Sequence, residues 1–169
     1  MNKLLDDWTL LVILLGSIIA LTALVIIILR HRFKGSVAIA VASILGIFAG
    51  VSGASHGPGE ILQGNIAPSG IIIQAWPELT LIAGEPAMTL IPSFNASGIV
   101  TVIIGIAVTI WVATHIQSKN GGLVLILLSI MMLLIGGGLI PPALGVMAGI
   151  IGTRATQKDL KKASSHQKA

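Results

Sequence analysis

The stretch GSVAIAVASILGIFAGVSG, residues 35–53, decides the fold class, because no ionisable side chain interrupts its apolar and small residues. Three further runs, at residues 8–29, 97–116 and 123–140, are also free of charge in their middle parts. Each run approaches the roughly 20 residues that a helix needs to cross a bilayer core of about 30 Å. The sequence therefore predicts an all-α integral membrane protein, a four-helix transmembrane bundle.

The composition agrees with this class. Hydrophobic residues make up 54% of the 169 residues and charged residues only 9%, whereas soluble domains have a charged share near about 25%. The predicted organisation is one membrane domain over residues 1–152, followed by a basic tail over residues 153–169. The net charge of +4 lies at the membrane edges and in the tail, so we expect contact with the lipid bilayer and none with nucleic acid. Since Cys is absent, disulfides and cysteine nucleophiles are excluded.

The distribution of Lys and Arg predicts the orientation. Arg30, Arg32 and Lys34 follow the first run directly, which puts this connection in the cytoplasm and the N-terminus outside. The outer loop, residues 54–96, contains no Lys or Arg. The basic tail is expected in the cytoplasm, but four spans would leave it outside. The uncleaved first span and small size suit a bacterial plasma membrane.

A break in the last apolar stretch resolves this conflict. Three glycines and two prolines lie close together there, and proline inside a helix removes a backbone donor and clashes with the preceding turn. The break residues are Gly136, Gly137, Gly138, Pro141 and Pro142. We therefore expect a turn at the prolines and a short half-helix over 143–152 that brings the tail back to the cytoplasm. The alternative is one kinked, tilted helix with the tail outside.

Small residues recur at four-residue steps in three of the runs. Residues four apart share one helix face, and small side chains let membrane helices approach closely. The positions are Ala38, Ala42, Gly46 and Gly50 in the second span, Thr101, Gly105 and Thr109 in the third, and Gly145 and Gly149 in the terminal segment. The pattern predicts packing inside one bundle. A homo-oligomer or a partner-subunit face is the alternative.

The candidate chemical site lies at the start of the outer loop, where a Gly/Pro-rich segment holds His56 and Glu60 four positions apart. An imidazole and a carboxylate can ligate a metal or act as an acid–base pair, and Glu78 and Glu85 are possible additional oxygen ligands. Two ligands do not complete a zinc site. The plain alternative is a turn with an exposed His and Glu. No cofactor is expected.

The rest of the outer loop predicts a small β-like cap outside the cytoplasm. Residues 71–76 and 87–91 are rich in strand-forming types and are separated by Pro and Gly. No hydrolase elbow, phosphate-binding loop, zinc-protease or dinucleotide motif occurs, so an enzyme is not the leading expectation. The leading hypothesis is a non-enzymatic scaffold, accessory or self-associating membrane protein. The alternatives are an oligomeric transport or channel component at the break over residues 136–142, and an extracytoplasmic metal or acid–base site at His56 and Glu60.

Overall fold

The computed structural model describes residues 37–74, 76–82 and 84–166. The predicted span 8–29, its flanking charges and the N-terminal orientation lie outside the described residues. The described part forms helices α1 (Val37–Leu62), α2 (Phe94–His115), α3 (Gly121–Ile135) and α4 (Ile140–His166), with strands β1 (Ile72–Ile73) and β2 (Ala87–Met88) between α1 and α2. This confirms a mostly helical fold with a small β-structured segment in the connection.

Helices α1 and α2 run antiparallel and nearly touch through their backbones. A methyl carbon added at Gly50 would lie 2.8 Å from the carbonyl oxygen of Gly105, and one added at Gly98 would lie 2.5 Å from that of Gly57. Only residues without large side chains permit such an approach. The small-residue steps in these two helices therefore face each other inside the chain.

Helix α4 closes the bundle by packing antiparallel to both α3 and α1. A methyl carbon at Gly149 would lie 2.6 Å from the carbonyl oxygen of Gly122 at the start of α3, and one at Gly152 would lie 3.7 Å from the Ala42 side chain on α1. The predicted packing positions are buried: Ala42, Gly46, Gly50, Thr101, Gly105, Thr109, Gly145 and Gly149. Ala38, in the first turn of α1, is exposed.

Two of the described helices, Val37–Leu62 and Phe94–His115, are long and apolar enough to cross a membrane. Helix α3 is a shorter apolar helix of 15 residues, so the segment predicted to span over 123–140 ends earlier than expected. The second predicted span also changes. Helix α1 continues to Leu62 instead of ending at residue 53. Residues 54–62 of the predicted outer loop are therefore helical.

The terminal segment differs most from its prediction. Helix α4 has 27 residues, about 40 Å at 1.5 Å per residue, so the expected half-helix over 143–152 is corrected to one continuous helix that includes most of the tail. The break lies at the glycines and not at the prolines. Pro141 and Pro142 stand in the first turn of α4, where a missing N–H removes no helical hydrogen bond and the fixed φ favours the helix.

The cap is tied to the end of α3. Strands β1 and β2 pair antiparallel, with Ile72 opposite Met88. The chain then continues along α3, where the amide of Leu90 donates to the carbonyl of Leu134 at 2.9 Å. The cap and the break between α3 and α4 therefore lie at the same end of the bundle, which is also where α1 ends and α2 begins.

Candidate functional site

His56 and Glu60 lie on one face of α1, one helical turn apart, in the last two turns of the helix. The plain alternative from the Gly/Pro composition was an exposed turn, but the segment is helical and includes Pro58. His56 is 3% exposed and Glu60 is 4% exposed. The predicted pair is therefore buried inside the bundle and does not lie on its surface.

Glu85, from the cap, reaches this buried face. Its Oε1 lies 3.0 Å from His56 Nε2, and its Oε2 accepts a hydrogen bond of 2.8 Å from the backbone N–H of Ile140. The two contacts hold the Glu85 carboxyl by both of its oxygens, one against the imidazole of His56 and one against the backbone of α4. Glu85 thus joins three parts of the chain: α1, the cap and the first residue of α4.

The N-terminus of α4 is well suited to hold a carboxylate. The first turn of a helix leaves amide groups without intrahelical partners, and the helix dipole favours negative charge there. Pro141 and Pro142 carry no N–H, so the Ile140 amide is the first donor available at this end. Glu85 satisfies that donor and acts as a cap supplied from a distant segment.

The glycines of the break form the wall of the site. Gly136 has φ of +123° and Gly138 has φ of +78°, conformations that side chains other than glycine rarely adopt. A methyl carbon at Gly138 would lie 2.5 Å from Glu85 Oε1 and 2.6 Å from His56 Nε2, and one at Gly136 would lie 2.8 Å from Glu60 Oε2. Both glycines therefore leave the space that the buried polar groups occupy.

Glu60 has a different environment from Glu85. Among the described residues neither of its oxygens has a hydrogen-bond partner, and the Nδ1 atom of His56 also has none. The hydroxyl of Ser97, on α2, is within hydrogen-bonding reach of the Glu60 carboxyl, and it donates to the carbonyl of Ile135 at 2.5 Å. The Glu60 carboxyl thus lies between the Ser97 hydroxyl and Gly136.

The hydroxyl groups near Ser97 form a network centred on the end of α3. Thr101 also donates to the Ile135 carbonyl, at 2.9 Å, and Thr89 lies 2.7 Å from Ser97 Oγ. Because Ser97 donates its hydrogen to the Ile135 carbonyl, Thr89 is the donor in its contact with Ser97, and it accepts from the amide of Ile91. The hydroxyls of Ser97 and Thr101 thus both donate to the carbonyl at the end of α3.

The predicted metal site stays incomplete. Glu78 is exposed and takes no part in the cluster, whereas Glu85 does. Within the described ranges no three His, Cys, Asp or Glu residues are grouped closely enough to hold a metal ion. The sequence named His56, Glu60 and the glycine break as separate features, and the structure brings them together. It did not single out Ser97 as a site residue or Gly57 and Gly98, whose close contact brings α1 and α2 together at this level.

Comparisons with known proteins give no match: no family model, no curated protein and no solved structure matches this chain.

Proposed function

We propose that this chain is a small multi-pass membrane protein that acts as a transport or channel component for small cations. The buried cluster of His56, Glu60 and Glu85 at the break between α3 and α4 is its working site. The observation that carries the proposal is the burial of two carboxyl groups and an imidazole beside that break. Ionisable side chains inside a membrane bundle are energetically expensive and mark ion or proton pathways.

Broken helices support the same function. Membrane transporters place ion sites where a helix is interrupted, because the free carbonyl and amide groups at the two new helix ends face the site. Here α3 ends in a carbonyl bound by Ser97 and Thr101, and α4 begins with an amide bound by Glu85. Opposite ends of two helix dipoles therefore meet at one cluster.

The charge distribution supports a defined orientation in the membrane. The sequence has no Lys or Arg from Gly35 to Ser118, and the described basic residues lie at the end of the bundle where α4 terminates. Because α4 packs antiparallel to α3 and carries the basic residues in its last part, we infer that the basic end faces the cytoplasm and the cluster lies towards the opposite surface. In this proposal α4 is a further crossing after the four predicted spans, which is what a cytoplasmic tail requires.

Flux through the reconstituted protein tests the function. The full chain in liposomes is expected to carry Na⁺ or H⁺ down an imposed gradient, faster than protein-free liposomes. Glu85→Gln should abolish that flux, whereas Glu78→Gln, a carboxyl outside the cluster, should leave it unchanged. Absence of cation flux from folded protein, followed with Na⁺- and pH-sensitive dyes, would refute the transport function.

The scaffold or self-associating hypothesis stays a prediction. It was motivated by small-residue faces, and in the described part these faces are occupied by neighbouring helices of the same chain. A homo-oligomer that completes a pore is compatible with the transport proposal, since one small bundle encloses little space.

A further inference from the structure

Glu60 is the group in the cluster that still needs a ligand. The Glu85 carboxyl is hydrogen-bonded to the imidazole of His56 and to the first amide of α4. Glu60 is 4% exposed, and neither of its oxygens has a partner in the described part of the chain. Burial of an ionised carboxyl without a partner is strongly unfavourable. Its charge must therefore be neutralised by something that binds to it.

The surroundings of Glu60 determine what can bind. Hydrogen-bond donors would stabilise the bare anion, but the nearest hydroxyl, on Ser97, gives its hydrogen to the Ile135 carbonyl. The Ser97 oxygen accepts from Thr89 and keeps a further lone pair. Carboxyl and hydroxyl oxygens with free lone pairs are ligands for hard cations. The site therefore favours a positive ligand.

The single negative charge of Glu60 limits the charge of the cation that can bind to it. One carboxyl balances one positive charge, and Glu85 is engaged elsewhere. Gly136 lies against the carboxyl and has no side chain, and its φ of +123° is a conformation that other residues rarely adopt. A divalent ion would keep an uncompensated charge in an apolar surrounding, which is unfavourable.

We propose that the Glu60 carboxyl and the Ser97 hydroxyl form a binding site for Na⁺, which displaces the proton that otherwise neutralises Glu60. This inference deepens the proposed transport function and rests on it for the membrane setting. The exchange leaves the His56–Glu85 pair intact, because Glu85 has its own partners in His56 and the Ile140 amide. Glu60 is then the exchanging group, and Glu85 holds the helix break in position.

Salt-dependent stability of the purified full chain tests the site without any flux measurement. Melting in NaCl is compared with melting in choline chloride at equal ionic strength. A ligand that binds only the folded state raises Tm, by roughly 5 to 10 °C for Na⁺ at ~100 times its Kd. The rise should vanish in Glu60→Gln and persist in Glu78→Gln.

Carbodiimide labelling locates the exchange. Hydrophobic carbodiimides add to protonated carboxyl groups in apolar surroundings, and mass spectrometry identifies the modified residue. We expect labelling at Glu60 in choline chloride and suppression in NaCl. Labelling that Na⁺ does not reduce, together with equal Tm in both salts, would show that a proton alone occupies Glu60 and would overturn the proposal.

Ser97→Ala provides an independent variant. It removes one proposed ligand while the carboxyl remains, so it should weaken the Na⁺ effect on Tm and shift it to higher concentration. An unchanged Na⁺ titration in Ser97→Ala would overturn the assignment of Ser97. A Na⁺-dependent Tm without cation flux in liposomes would refute the transport function and leave the binding site standing.

Discussion

The two ends of the bundle differ in whether their ionisable side chains are buried or exposed. At the cap end, His56, Glu60 and Glu85 are buried and no Lys or Arg is near in sequence. At the other end, Arg154, Lys158, Lys161 and Lys162 are exposed on the last part of α4. Exposed charges on a helix contribute little to stability, whereas buried charges demand partners. The cap end therefore holds the candidate functional site, and the other end carries the basic residues that we expect to set the orientation in the membrane.

The largest effect is expected at Glu85. Glu85→Ala removes the partner of His56 and the cap of α4 in one step, and loss of one member of a buried pair lowers the free energy of unfolding by about 3–5 kcal/mol. Chemical unfolding in mild detergent measures it. Glu78→Ala, an exposed carboxyl in the same cap, should change stability by less than about 0.5 kcal/mol. Equal effects of the two substitutions would remove the distinction between buried and exposed charge within the cap.

The next effect is expected at the glycine break. Gly138→Ala should lower the free energy of unfolding by about 3 kcal/mol, because it adds backbone strain at a positive φ and pushes a methyl group against the His56–Glu85 pair. Gly64 has a similar φ of +81° with no heavy atom within 4 Å of the added methyl. Gly64→Ala therefore measures the strain alone, about 1 kcal/mol.

The difference between these two glycine variants isolates the contact with the site. If Gly138→Ala and Gly64→Ala melt at the same temperature, the break tolerates a side chain and does not press on the buried pair. If only Gly138→Ala also loses cation flux, the glycine wall contributes to function as well as to stability.

The sequence predicted the helical fold and the small sheet because apolar runs and strand-forming residues are local signals. It placed the end of α1 too early, since His56, Pro58 and the nearby glycines are poor helix formers in isolation. Packing overrides that preference, because Gly57 contacts Gly98 on α2 and His56 is hydrogen-bonded to Glu85. Such tertiary contacts leave no local trace in the sequence.

The site was predictable in its parts and not in its assembly. The spacing of His56 and Glu60 identified one face, and the glycines before Pro141 identified the break. The helix face and the break are brought together by Glu85, which extends from the cap to the amide of Ile140. This contact joins residues far apart in the chain. The break was misplaced because two prolines suggest an interruption, although in a first turn they start a helix.

The smallest effect on stability is expected at the basic end. Arg154, Lys158, Lys161 and Lys162 follow one face of α4 and are exposed, so replacing the three lysines by Gln should alter the free energy of unfolding by no more than about 0.5 kcal/mol. The same change should weaken retention of anionic lipid, since each Lys near a membrane surface contributes about 1 kcal/mol to that attraction. Native mass spectrometry of protein from phosphatidylglycerol-containing nanodiscs measures retention, with Gln157→Ala as an uncharged control on the same exposed helix segment. A large loss of stability with unchanged lipid retention would mean that these lysines support the fold, and that the two ends do not differ in the way proposed.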